Sequence, residues 1–160
     1  MRLYKIRYKG VFAILLPMQN IIANWPIYVG WSTRLNCRGV LAARDVKKGE
    51  IVEVCPLLLV PHKTQKGRLN RQPTNSLLDN YFYDWNRTHW CLPLGYAVLY
   101  NHSYQPNLVY LYDTKNLTLK YKALSDIKKD EELTVNYNGD PADSTPVDAW
   151  FHEYFGRVFE

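Results

Sequence analysis

Apolar residues in this chain come in short runs, separated by clusters of glycine, asparagine, aspartate and lysine. Ile27-Tyr28-Val29-Gly30-Trp31, Val40-Leu41-Ala42-Ala43 and Glu50-Ile51-Val52-Glu53-Val54 are rich in β-branched residues and bounded by turn formers, which predicts strands. Leu57 to Val60 extends the third of these beyond Pro56. Leu108 to Tyr112 and Leu117 to Lys122 flank Asp113-Thr114-Lys115-Asn116, the pattern of an antiparallel hairpin. The second of that pair alternates apolar and polar, as a half-solvated strand does. Leu133-Thr134-Val135 reads as a last short strand.

Helical signals are few. Leu77, Leu78, Tyr81 and Phe82 share one helical face after a cap at Thr74 or Asn75. Pro93 to Tyr100 is a second short apolar segment of helical character. Residues 61–74 are polar and proline-punctuated and read as a surface loop. The tail from Val147 to Phe159 is aromatic-rich and reads as partly helical. No internal repeat is visible. The expected class is mostly β with short helices, in several small sheets.

Near the N-terminus, Arg2, Lys5, Arg7 and Lys9 precede the apolar run Val11–Leu16, which imitates a secretion signal. Pro17 ends that run before a bilayer could be spanned, and no small-residue cleavage pattern follows closely. Residues 1–26 therefore read as an arm or extra strand, residues 27–151 as the domain, and 152–160 as a tail.

With 160 residues there is enough chain for one domain with a real core. The three cysteines, Cys37, Cys55 and Cys91, form no C-x-x-C pair, and an odd count fits a reducing, intracellular compartment. His62, His89, His102 and His152 are dispersed, so no metal site is expected. The net charge of +5 comes from scattered lysines and arginines, which favours a solvated surface over a nucleic-acid patch. The thirteen tyrosines suggest aromatic-lined pockets as well as sheet core.

Two segments carry chemistry. Asn101-His102-Ser103-Tyr104-Gln105-Pro106-Asn107 is a polar cluster set directly after an apolar run. Glu131-Glu132-Leu133-Thr134-Val135-Asn136-Tyr137 is an acidic turn, a short β run and a tyrosine. In that order and spacing they resemble the N-H-S-x-x-P-N and E-E-L-T-x-x-Y signatures of SET-domain protein-lysine methyltransferases. Asp45-Val46-Lys47-Lys48-Gly49-Glu50 resembles a further segment of that family, D-[IV]-x-x-G-E. Cys37-Arg38-Gly39 resembles its G-x-G turn, with Cys37 in place of the first glycine.

The resemblance implies a SET fold with small sheets around a C-terminal pseudoknot, and a SAM-dependent protein-lysine N-methyltransferase, SAM being S-adenosylmethionine. It implies Tyr137 as catalytic residue and Tyr110 as a tyrosine of the lysine channel. It further implies Arg38, Gly39, Asn101 and His102 as cofactor contacts, and Trp150 or Phe151 as the aromatic on the adenine. Glycine suits the tight turn expected at position 39, because it accepts positive φ and allows close approach. The family's upstream channel tyrosine falls near Cys55-Pro56, where this chain has no aromatic. The absence of cysteine after Cys91 matches compact members without a zinc-binding tail. The implied partner is a protein or peptide with an exposed lysine, in the cytoplasm or, in a eukaryote, the nucleus, with no membrane. The alternatives are a non-catalytic SET module that binds a peptide, and a basic nucleic-acid binder.

Overall fold

The computed structural model describes residues 26–61, 63–65, 68–70 and 81–147, with two further strands before them. Those two, β1 (Lys5–Tyr8) and β2 (Val11–Ile14), pair antiparallel as a hairpin, where a single strand or arm was expected. The expected helix around residues 76–82 falls largely outside the described residues, as do Trp150, Phe151 and the tail.

β3 (Ile27–Ser32) and β4 (Cys37–Ala42) form an antiparallel pair joined by a turn. Asn36 takes φ 52° there, a left-handed conformation that asparagine tolerates. β5 (Ile51–Pro61) is one long strand that changes partner midway. Its first half pairs with β12 (Thr118–Ala123) and its second with β9 (His89–Pro93). Pro56, which lacks an N–H, sits at that changeover, and its carbonyl accepts the Leu94 N–H at 2.9 Å. β6 (Lys63–Gln65) and β7 (Arg68–Asn70) form a small hairpin inside the stretch expected to be loop. β8 (Tyr83–Asp84) edges β9, and β11 (Leu108–Asp113) completes the five-stranded sheet in the order β11-β12-β5-β9-β8. The apolar run before Asn101 divides between β9 and a 3-10 helix, Tyr96–Leu99. Among the described residues, short strands in small sheets with almost no helix match the expected class.

β10 (Asn101–His102) and β13 (Glu132–Val135) lie side by side and parallel, and β13 also pairs antiparallel with β4. Residues 101–107 grip β13 from both ends. Ser103 N–H donates to the Val135 carbonyl at one end. At the other, Asn107 donates through Nδ2 to Glu132 O (2.8 Å) and accepts from Thr134 N at Oδ1 (2.9 Å). This is the pseudoknot in hydrogen-bond terms: two segments far apart in sequence satisfy each other's backbone.

Two turns outside the knot form a short repeat that sequence reading missed. Asp45-Val46-Lys47-Lys48 faces Asp126-Ile127-Lys128-Lys129 about a local two-fold. Val46 and Ile127 exchange both backbone bonds at 2.9 Å. Asp45 accepts from Lys129 N and Lys128 Nζ, and Asp126 accepts from Lys48 N and Lys47 Nζ. Val46 and Ile127 are buried beneath the pair, joining a core that includes Val40, Leu108, Leu119, Tyr121, Leu133 and Val135.

Candidate active site

Asn101 is buried at the meeting of β10, β13 and β4. Its Nδ2 donates to Glu132 Oε1 (2.7 Å) and to the Arg38 carbonyl (3.2 Å), and its Oδ1 faces Cys37 Sγ at 3.6 Å. Glu132 also accepts from Ser32 Oγ at 2.7 Å, and Arg34 Nε lies 3.9 Å from it. Arg34 Nη2 donates to the His102 carbonyl at 2.8 Å. Acceptors and one cation therefore converge around a single amide.

Gly39 does not sit in the tight turn expected for it; it pairs with Gly30 in mid-strand. A Cβ there would stand 2.8 Å from both Asn101 Nδ2 and Glu132 Oε1. Glycine is required for space, because the Asn101–Glu132 bond passes against the backbone. The Arg38 side chain is exposed, and it is the carbonyl of Arg38 that reaches Asn101.

His102 is fully buried and accepts the Tyr137 N–H at Nδ1 (3.1 Å), which leaves its proton on Nε2. Burial, with Arg34 nearby, lowers its pKa to about 4, so the imidazole is neutral at physiological pH. The Tyr104 ring stands edge-on to it at 4.4 Å, and the Tyr104 hydroxyl accepts the Val147 N–H. His102 thus fastens the knot from inside.

Tyr137 is joined to that knot through its backbone N–H, and its hydroxyl donates to the Tyr100 carbonyl at 2.9 Å. Tyr110 stands beside it, its hydroxyl 3.4 Å from the Tyr137 carbonyl. Around them gather further aromatics, of which Tyr83 and Tyr121 carry no sequence signal beyond tyrosine abundance. Tyr83 meets Tyr110 edge-on at 5.2 Å, and its hydroxyl donates to the Ala97 carbonyl. Tyr121 donates to Tyr83, and Tyr100 packs on Tyr121 at 4.6 Å. Cys55, at the place without a tyrosine, is fully buried; Tyr83, from β8, supplies aromatic surface in this cluster. Burial raises the Tyr110 pKa to about 12 and pushes those of Tyr83, Tyr100 and Tyr121 well above the ordinary phenol value, so all four phenols are neutral.

The structure thus brings Gly39, the Arg38 carbonyl, Asn101, His102, Tyr110 and Tyr137 into one contiguous region. Sequence reading missed Arg34, Ser32, Tyr83, Tyr100 and Tyr121, and gave Glu132 no role. Glu132 lies inside a signature segment and Tyr100 directly precedes one, so both were within reach. Among the described residues no group of His, Cys, Asp and Glu is placed to hold a metal, and no helix is long and apolar enough to cross a membrane.

The chain is similar to known proteins. A histone-lysine N-methyltransferase of Schizosaccharomyces pombe, H3 lysine-37 specific, is 29% identical over 100 residues, covering 62% of this chain and 65% of its own length. The match thus falls just short of two thirds of that relative. A crystal structure of a Plasmodium falciparum protein, described as a candidate histone methyltransferase, superposes with a TM-score of 0.59 at 32% identity. It covers 71% of this chain and 94% of its own. The family model for the SET domain matches residues 37–138, from the first residue of β4 to the turn after Tyr137. That span is well over half the sequence and holds both interlocked segments: this chain belongs to the SET-domain family.

Proposed function

We propose that this protein is a SAM-dependent protein-lysine N-methyltransferase. The observation that supports it best is the seat of Tyr137. The residue that ends one signature segment is fastened by its N–H to His102 of the other, and by its hydroxyl to the carbonyl before Asn101.

The residues around Asn101 fit the amino-acid end of SAM. The Arg38 carbonyl and Glu132 suit an ammonium, and Arg34 suits a carboxylate. The missing Cβ of Gly39 keeps backbone and amide close together. When bound, SAM supplies a methyl group activated by a sulfonium sulfur.

The chain's own task is to deliver a neutral amine. A free lysine has a pKa of about 10.4. The same burial that keeps the tyrosines neutral disfavours an ammonium among them. With its proton committed to Tyr100 O, the Tyr137 hydroxyl acts on an amine as an acceptor. Holding the amine's N–H bonds in this way aims its lone pair, and orientation supplies much of the rate. Aromatic faces also tolerate methylated ammonium products.

The substrate is a lysine in an extended protein segment inside the cell. Histone H3 is the first to try, because the S. pombe relative is named for it. The test is transfer of labelled methyl from SAM to H3 or to proteins of a cell lysate, with mass spectrometry of the product, for the parent and Tyr137→Phe. The variant should turn over about ten- to a thousandfold more slowly with cofactor affinity kept. Equal rates in both proteins would refute the role of Tyr137. Tight SAM binding with no transfer to any protein would favour a peptide-binding module.

A further inference from the structure

Glu53 is a buried carboxylate that the chemistry above does not use. It lies on β5 and is 5% exposed. Its Oε1 accepts the Tyr96 N–H at 2.7 Å, and its Oε2 accepts the Tyr100 hydroxyl at 3.0 Å. One side chain therefore holds both ends of the segment 96–100. That segment leads into Asn101, and its last carbonyl receives the Tyr137 hydroxyl.

Gly95 shows that the contact is built in. It takes φ 135°, a region open to glycine, and a Cβ there would lie 2.5 Å from Glu53 Oε1. The chain gives up a side chain and ordinary backbone geometry to let the carboxylate reach the Tyr96 amide.

We propose that Glu53 is a positioning residue for Tyr137, acting through Tyr100. The inference rests on the proposed methyl transfer for its consequence in rate, although its structural half can be tested without any turnover.

The titratable groups facing Glu53 are Cys55 on its own strand, Tyr121 opposite it on β12, and Tyr100. All are neutral around and below neutral pH, and none is a cation. Burial pushes the Glu53 carboxyl above the ordinary range for glutamate. Its protonation removes an acceptor from the pair of bonds, so the seat of Tyr100 should loosen on the acid side.

The test uses the full chain with tyrosine labelled at Cζ with carbon-13. The Tyr137 resonance is assigned by its loss in Tyr137→Phe. Glu53→Gln keeps the shape, and Tyr100→Phe removes only the hydroxyl. Both should shift the Tyr137 resonance, and together they should shift it no further than the larger single change. In the parent that resonance should show an acid-side step besides the one that His102, bonded to the Tyr137 N–H, contributes near pH 4, and Glu53→Gln should abolish this second step while leaving the His102 step in place. In single-turnover methylation each variant should fall about ten- to a hundredfold in rate, with little change in SAM affinity. An unmoved Tyr137 resonance in folded Glu53→Gln and Tyr100→Phe would overturn the proposal. So would parental rates in both variants. A parent that transfers no methyl group would overturn the proposed activity instead, and the resonance would still decide the role of Glu53.

Discussion

Replacing Gly39 by alanine tests how tightly the polar cluster at Asn101 is built. The new methyl would start 2.8 Å from Asn101 Nδ2 and from Glu132 Oε1, which are themselves bonded at 2.7 Å. Ordinary contact begins at 3.4 Å, so each neighbour must retreat by at least 0.6 Å. Neither moves cheaply. Glu132 is held by Ser32 Oγ at 2.7 Å and faces Arg34, while Asn101 is held through the Arg38 carbonyl and its own backbone in β10. Losing a hydrogen bond to a charged group costs about 1.5–3 kcal/mol. Overpacking a filled site costs about 1–3 kcal/mol. Against this, one more buried methyl returns about 0.8 kcal/mol, and replacing glycine within a strand about 0.5–1 kcal/mol. The net is a loss of about 1–5 kcal/mol in stability. Urea unfolding should show it as a lower midpoint at unchanged slope. SAM affinity by calorimetry should drop at least about tenfold, because the amide must leave its place. A variant within about 0.5 kcal/mol of the parent, binding SAM within about twofold, would refute both the spatial role of Gly39 and the cofactor site around Asn101.

Asn101→Ala should weaken SAM binding by about 1–3 kcal/mol in a folded protein, and unchanged calorimetric affinity would remove Asn101 from the site. Stability should fall on the acid side through His102. Its pKa drops from 6.5 in the unfolded chain to about 4 when folded, so the unfolded state binds more protons as pH falls. The contribution is complete above pH 6.5 and is lost toward pH 4, by up to about 3 kcal/mol, and His102→Asn should flatten that slope in urea titrations at a series of pH values. Asp45→Ala and Asp126→Ala should lower Tm by similar amounts, each more than Lys47→Ala or Lys128→Ala. The carboxylates bind backbone N–H groups, whereas the exposed ion pairs contribute little. Clearly unequal Tm drops for the two aspartates would show that the facing turns are not energetically equivalent.

Local pattern was enough for the strands whose signals are local. β3, β11 and β12 are short β-branched or aromatic runs beside turn residues, and they lie within a residue or so of where the sequence places them. The two signature segments were legible as words, and their order identified the family and its fold. Four features were decided only in three dimensions. The β6–β7 hairpin sits in a polar stretch whose pairing depends on the partner strand rather than on periodicity. Gly39 was read as a turn glycine, but the reason for it is a hydrogen bond between residues 101 and 132, which no local rule can see. Tyr83 reaches Tyr110 only because β8 edges the same sheet. Glu53 would read as an ordinary alternating strand position until the fold buries it against Tyr96 and Tyr100. The sequence by itself determined the strands with local signals and the family, because propensity, turn chemistry and motif order are properties of neighbours along the chain. The tertiary structure decided which polar groups meet, because burial and close approach are set by segments scores of residues apart, brought together when β10 and β13 interlock.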